Sequence, residues 1–334
     1  MNVDIELYKI IADDSHYLSI LNGRLPSFFI YIFKSINELD ILLYLNDKNY
    51  IFSYNLLSLQ MVSKIIDKKF ENIKDIRHCI DNYNKRDLLI SVNKNQINLW
   101  DFKNWECLKN FDFLGYNLFS ACFLNNKNTI FILFGPNKRK TKKKYEPIQV
   151  YDLEGNKITQ IFDSNDYNYF IDTFYDNKLS KYFIISGSNG KVLSYDYNQN
   201  KLYKIYKQNE NSNIHSHIII NINEENIRLI EASFCCYIYI WDFHSGNLLK
   251  SVNSWDFSEI GDISLLNNNF IFAIGYEKNI IQLINIDNKK EYKKFVIPDE
   301  KIIIIKKINH YKLGNCLITK DKNNLIKLWL IKNK

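Results

Sequence analysis

One spacing constrains this chain more than any other feature. From Cys236 it runs Cys-Tyr-Ile-Tyr-Ile-Trp-Asp-Phe-His-Ser-Gly-Asn-Leu-Leu-Lys-Ser-Val to residue 252, which reads as strand, polar Gly-bearing turn, strand. Ile238 and Ile240 share one face, Trp241-Asp242 ends the first strand, and Phe243 to Asn247 turns the chain into Leu248 to Val252. That strand end recurs at Tyr54-Asn55, Trp100-Asp101, Tyr151-Asp152, Tyr195-Asp196, Ile284-Asn285 and Trp329-Leu330, at successive spacings of 46, 51, 44, 46, 43 and 45 residues. Three places before each dipeptide stands an aliphatic residue: Ile51, Ile97, Ile148, Val192, Ile238, Ile281 or Ile326.

A period in the forties with room for four strands per unit is what a β-propeller blade requires. Seven units of about 45 residues account for the length, so the expected fold is all-β: a single domain, 1–334, forming a seven-bladed propeller of four-stranded antiparallel blades. The alternating stretch at residues 3–11 precedes the first complete unit, while the last unit stops after Trp329 with only five residues left. Strand 3–11 is therefore expected to pair with blade 7 as its outer strand and remove an open edge. Blade 3 spreads its second and third strands around an insertion at about 135–147, with its first strand read as Leu118 to Leu124. Because strands alternate in direction, b–c turns and d–a links emerge on one face, and a–b and c–d turns on the other.

These dipeptides and columns resemble those of WD40-repeat proteins, Trp100-Asp101 and Trp241-Asp242 being the best preserved, and the resemblance extends over essentially the whole chain. It is a degenerate likeness: the Gly-His pair that opens a WD40 repeat is missing from every unit. The resemblance implies a buried network linking that His to an Asp in the b–c turn, a hydroxyl on strand b and the Trp on strand c. Asn189 or Asp321 is placed for the turn and Ser91 for the hydroxyl. Without the His, the blades are expected to hold together mainly by packing.

Composition narrows the functional classes. Hydrophobic residues make up 46% and aromatics 15%, with 23 Tyr and 22 Phe, which favours strands over helices. No segment approaches 18 consecutive apolar residues and the N-terminus lacks a basic-then-apolar leader, so an intracellular protein is expected. The six cysteines form no Cys-x-x-Cys and read as buried thiols. Ser186-Gly-Ser-Asn-Gly190 lacks the Lys of a phosphate loop, there is no His-Glu-x-x-His, and of the six His only His215 and His217 are closely spaced. No catalytic, metal or cofactor site is expected; a propeller hydrolase or lyase would need acids or His converging at the channel mouth.

Two features invite partners. Lys138, Arg139, Lys140, Lys142, Lys143 and Lys144 lie in the blade 3 insertion without an acid among them, and without them the net charge of +7 falls to +1. Such a run suits phosphates, anionic lipid, an acidic partner or nuclear import, or is a solvated insertion. The d–a links supply large rings on the same face, Tyr116, Tyr167 and Trp255, the last being either a binding anchor or a ring tucked against the adjacent blade. The expected function is a non-catalytic scaffold for protein partners, monomeric and cytoplasmic, with nuclear entry through 138–144; the alternative is an adaptor for nucleic acid or anionic lipid through the same run.

Overall fold

Strand b of each unit reads as an unbroken apolar run. Leu88, Leu89, Ile90, Ser91 and Val92 are all buried, because a strand second from the inside of a four-stranded sheet is covered on both faces. Outer strands alternate instead and carry lysines such as Lys64, Lys109 and Lys204, which discourage edge-to-edge pairing.

The computed structural model describes residues 3–13, 29–45, 50–126, 129–135, 137–138, 147–161, 169–188, 190–207, 215–222, 226–233, 237–253, 260–275, 278–287, 292–297, 301–323 and 325–333. They form seven four-stranded antiparallel sheets, the blades of a seven-bladed β-propeller, with strands hydrogen-bonded in sequence order within the first six. Blade 1 comprises Phe29–Lys34, Asp40–Leu45, Tyr50–Asn55 and Gln60–Ile66 as strands a to d. Blade 2 comprises Asp75–Asp81, Arg86–Val92, Gln96–Asp101 and Glu106–Asp112. Blade 3 comprises Ala121–Asn126, Thr129–Phe134, Ile148–Asp152 and Lys157–Ile161. Blade 4 comprises Phe170–Asp176, Lys181–Ser188, Lys191–Asp196 and Lys201–Lys207. Blade 5 comprises His215–Ile222, Ile227–Ser233, Tyr237–Asp242 and Leu248–Asn253. Blade 6 comprises Ile260–Asn267, Phe270–Gly275, Ile280–Asn285 and Tyr292–Val296. Blade 7 has Ile302–His310, Gly314–Asp321 and Leu325–Asn333, and its fourth strand is the N-terminal Val3–Asp13. Ile5 of that strand packs with Ile331 against the blade 6–7 core.

By contacts the chain divides into two compact units. Residues 23–205 hold blades 1 to 4, and residues 1–22 with 206–334 hold blades 5 to 7 and the closing strand. Within each, apolar clusters lie between consecutive blades: Phe33, Leu43, Phe70 and Trp100 between blades 1 and 2, and Ile240, Ile263 and Ile271 between blades 5 and 6.

The recurring dipeptide has a physical basis. Its Asp or Asn caps the c–d turn, accepting backbone N–H bonds at Asn55 (Leu57, 2.8 Å), Asp101 (Lys103, 2.9 Å), Asp152 (Asn156, 2.7 Å), Asp196 (Gln199, 3.0 Å), Asp242 (Ser245, 2.7 Å) and Asn285 (Asp287, 2.8 Å). The seventh copy has Leu330, and there no turn is needed, since the strand runs on to Asn333 against the N-terminal strand. In the blade 5 hairpin Gly246 supplies the left-handed residue (φ 76°) that closes the turn beside a bulge at Trp241.

The first residue of the dipeptide is buried at Trp100 (2% exposed), Tyr195, Trp241, Ile284 and Trp329, and half-buried at Tyr54 and Tyr151. Each indole N–H finds an acceptor on strand b: Trp100 Nε1 donates to Ser91 Oγ (2.9 Å), Trp241 to Glu231 Oε2 (3.3 Å) and Trp329 to Thr319 Oγ1 (2.8 Å). The acceptor stands two residues beyond the one opposite the Trp. Where the ring is Tyr54 or Tyr151, or the residue is Ile284, the same position holds Tyr44, Phe134 or Ala273; beside Tyr195 it holds Ser186. A buried N–H must be paired, so the two columns change together.

One reading needs correction, the start of strand a in blade 3, and two others can be made more specific. Packing is supplemented by side-chain bonds between neighbouring innermost strands: Asp262 Oδ2 accepts Ile305 N–H (3.0 Å) and Ser264 Oγ accepts Lys307 N–H (2.8 Å), while Lys306 pairs with Asp262 at 3.0 Å. Strand a has a ladder partner on one side only, and these bonds satisfy two of the amides that blade 7 turns toward blade 6. Strand a of blade 3 starts at Ala121, not Leu118, because Leu118 N–H is spent on Lys94 O (2.8 Å). Asp321 stands at the b–c turn as expected and caps it through Asn323 and Leu325 N–H (2.8 and 2.9 Å); Asn189 lies outside the described residues.

Candidate partner-binding surface

The link from blade 2 to blade 3 is fastened on both sides. Phe113 N–H bonds Asn95 O and Leu118 N–H bonds Lys94 O, both at 2.8 Å, tying the link to the b–c turn of blade 2. On its other side Tyr116–Asn117 forms a two-residue antiparallel ladder with Asn137–Lys138, the first residues of the blade 3 insertion. Gly115 (φ 87°) makes the reversal between them, with Tyr116 N–H returning to Phe113 O (3.1 Å). Phe113 packs below on Phe134 (ring centres 4.4 Å apart) and Tyr151 (6.0 Å), leaving Leu114 81% exposed at the top. Tyr116 is half-buried, and burial, followed by the neighbouring Tyr116, pushes the Tyr151 hydroxyl up.

The base of the basic run is therefore anchored in this unit beside Tyr116, through the backbone of Lys138. Arg139, Lys140, Lys142, Lys143, Lys144, Tyr167 and Trp255 lie outside the described residues. Other residues of the same links come together. Lys74 Nζ donates to Asn117 Oδ1 and Leu118 O, both at 2.7 Å, and stands 4.1 Å from the Phe119 ring centre; Phe119 in turn meets Tyr169 edge-on at 5.0 Å. A sequence signal existed in the aromatic residues just before strand a of blades 3 and 4, but their meeting depends on blade packing.

Exposed apolar residues are also found on the turns of the other side of this unit, at Leu39, Leu57, Tyr83 and Leu179, and on the adjoining strand end at Tyr175, Tyr83 being 83% exposed. Nor is basic charge confined to the insertion: residues 301–334 hold nine lysines and one aspartate. There it is dispersed, with Lys320 and Lys327 buried and Lys306 paired to Asp262. Burial pushes the Cys79 thiol up to about 12 and that of Cys316 to about 11, so neither is a ready nucleophile. Among the described residues no three His, Cys, Asp or Glu converge to hold a metal ion, and no helix is long and apolar enough to cross a membrane.

No family model matches the chain and no curated protein matches it. Solved structures do. A crystal structure of BBS1N in complex with ARL6DN, soaked with lead, superposes with a TM-score of 0.70 at 9% identity, covering 97% of this chain and 96% of that one. A mercury-soaked crystal of the same complex gives 0.69 at 10% identity, covering 98% of each. The chain has the fold of these proteins. At such identity the likeness extends to the fold alone.

Proposed function

We propose that this chain, residues 1–334 acting as one WD40-like domain, is a non-catalytic scaffold that binds protein through the face bearing its b–c turns and d–a links. The observation that carries the reading is the Tyr116–Lys138 ladder, which fastens the first residue of a six-charge basic run next to an aromatic ring and an exposed leucine. A rigid apolar anchor resists dissociation, and a run of like charge accelerates encounter. The superposable BBS1N is described in complex with ARL6DN, which agrees with a protein partner. Lys138, Arg139, Lys140, Lys142, Lys143 and Lys144 supply the charge and Tyr116 the ring; Tyr167 and Trp255 are further contact residues in their own links. The protein works inside the cell, in the cytoplasm, with nuclear entry through 138–144, and needs no cofactor.

A second reading rests on the same run: an adaptor for phosphate-bearing ligands, nucleic acid or anionic lipid, whose binding disappears at high salt. Partners recovered by affinity purification, then titrated at low and high salt, separate the two. Deleting Lys138 to Lys144 is expected to slow association at low salt and to matter little at high salt. Leu114→Asp and Trp255→Ala are expected to weaken binding at both. A variant carrying all three changes that binds as tightly as the parent would move the functional surface elsewhere. Retention only by nucleic acid or anionic vesicles, abolished by salt, would favour the adaptor.

A further inference from the structure

Blades 1 to 4 bring their innermost strands together around one side chain. Arg77, on strand a of blade 2, places Nε 3.2 Å from Asp75 Oδ2 on its own strand and Nη1 3.6 Å from Asp172 Oδ2 on strand a of blade 4, two blades away. Its guanidinium carbon lies 5.5 Å from the centre of the Phe170 ring. Asp75, itself buried, also accepts the Ser120 hydroxyl of blade 3 at 2.5 Å, and Ser120 Oγ accepts Ile171 N–H of blade 4 at 3.3 Å. From blade 1 comes Tyr31, whose oxygen accepts His78 N–H at 3.2 Å. The groups facing the guanidinium are thus Tyr31, Asp75, Ser120, Cys122, Phe170 and Asp172, with two carboxylates for one cation.

The chemistry of this enclosure suits one ligand. A planar fork engages Asp75 with its Nε edge and faces Asp172 with an Nη while its central carbon stands over an aromatic ring, a spread of contacts that a point charge such as an ammonium does not make. Solvent access is uneven: the Arg77 side chain is 22% exposed and that of Asp172 42%, whereas Asp75 is enclosed. Burial pushes the Asp75 carboxyl above the usual carboxylate range, opposed by Arg77 and by the Ser120 and Arg77 hydrogen bonds. Burial likewise pushes the Tyr31 hydroxyl up to about 12. Burial thus works against the Asp75 carboxylate, and the Arg77 charge with the Ser120 and Arg77 hydrogen bonds works for it.

We propose that the inner side of this unit contains a guanidinium-binding site, built by strands a of blades 1 to 4 and occupied by the chain's own Arg77 as an internal ligand that ties blade 4 to blade 2. Such a site, once emptied, accepts a free guanidinium. In the full chain, Arg77→Ala is expected to lower the thermal midpoint. Millimolar methylguanidinium is expected to raise it again, saturably, in the variant and not in the parent. Methylammonium or sodium chloride at equal ionic strength is expected not to do so, and Asp172→Asn on the Arg77→Ala background is expected to weaken the rescue. Rescue absent, or equal with methylammonium, overturns the proposal. If Arg77→Ala does not fold, Arg77→Met combined with Asp75→Asn, which removes the stranded carboxylate, is expected to fold where Arg77→Met alone does not. Failure of that double variant to improve on Arg77→Met counts equally against it.

Discussion

The indole–acceptor pair on strands c and b can be dissected at Trp100, where the surroundings are best defined. Its ring stacks on Phe70 (centres 4.6 Å apart, planes at 26°), lies 5.4 Å from Lys69 Nζ and donates to Ser91 Oγ. Trp100→Ala removes a side chain of the class that buries about 200 Å², which at about 25 cal/mol per Å² amounts to about 5 kcal/mol. Partial collapse of the cavity brings the expected loss to about 3–5 kcal/mol. Trp100→Phe keeps most of the packing and gives up the N–H, for about 1–2 kcal/mol; Ser91→Ala keeps the ring and leaves a buried donor unpaired, for about 1–3 kcal/mol. The double variant, lacking both donor and acceptor, is expected to lose less than the sum, by about 1 kcal/mol of coupling. Urea unfolding followed by tryptophan fluorescence and circular dichroism measures all four corners of the cycle. Additive losses, with Ser91→Ala costing no more than a surface change of about 0.5 kcal/mol, would refute the idea that these two columns change together because of a hydrogen bond.

Deleting residues 1–13 removes the strand that pairs with Leu325–Asn333 and takes Ile5 from the blade 6–7 core, so the truncated chain is expected to aggregate or melt earlier in light-scattering and thermal scans; a monomer with the parent midpoint would contradict closure by this strand. Acid is expected to act through the turn caps. Burial alone would raise the Asp81, Asp152 and Asp242 carboxyls. Hydrogen bonds from Asn84 and Arg86, from Asn156 and from Ser245 outweigh it and hold all three below the ordinary value. A depressed folded-state value means the unfolded chain binds protons first, so this contribution is present above the ordinary Asp range, near pH 4, and is lost as pH falls through the folded values. A urea midpoint that declines below about pH 4, and declines less in an Asp81→Asn, Asp152→Asn, Asp242→Asn variant, is the expected result.

The repeat was legible because its determinants are local. An Asp or Asn at the end of strand c bonds amides two to four residues ahead, and a β-branched or aromatic run pairs with the next such run across a short turn, so blade number, strand order and the spare first strand can be read along the chain. Ser91 could be placed for the same reason. Its counterparts Glu231 and Thr319 were overlooked because they differ in chemistry, although the register that aligns them was available.

The meeting of distant links was not legible. Strand alternation puts Tyr116, in the link between blades 2 and 3, and Lys138, in the blade 3 insertion, on one face, but their pairing follows from how these segments pack. The same holds for Lys74 with Phe119, for Asp262 with Ile305, and above all for Arg77, which reaches past blade 3 to Asp172. Sequence determined what each blade is, because hydrogen-bond registers within a hairpin depend on residues a few places apart. Tertiary structure alone decided which inner-strand side chains face one another, because that depends on the angle and spacing between packed sheets, to which no run of neighbouring residues refers.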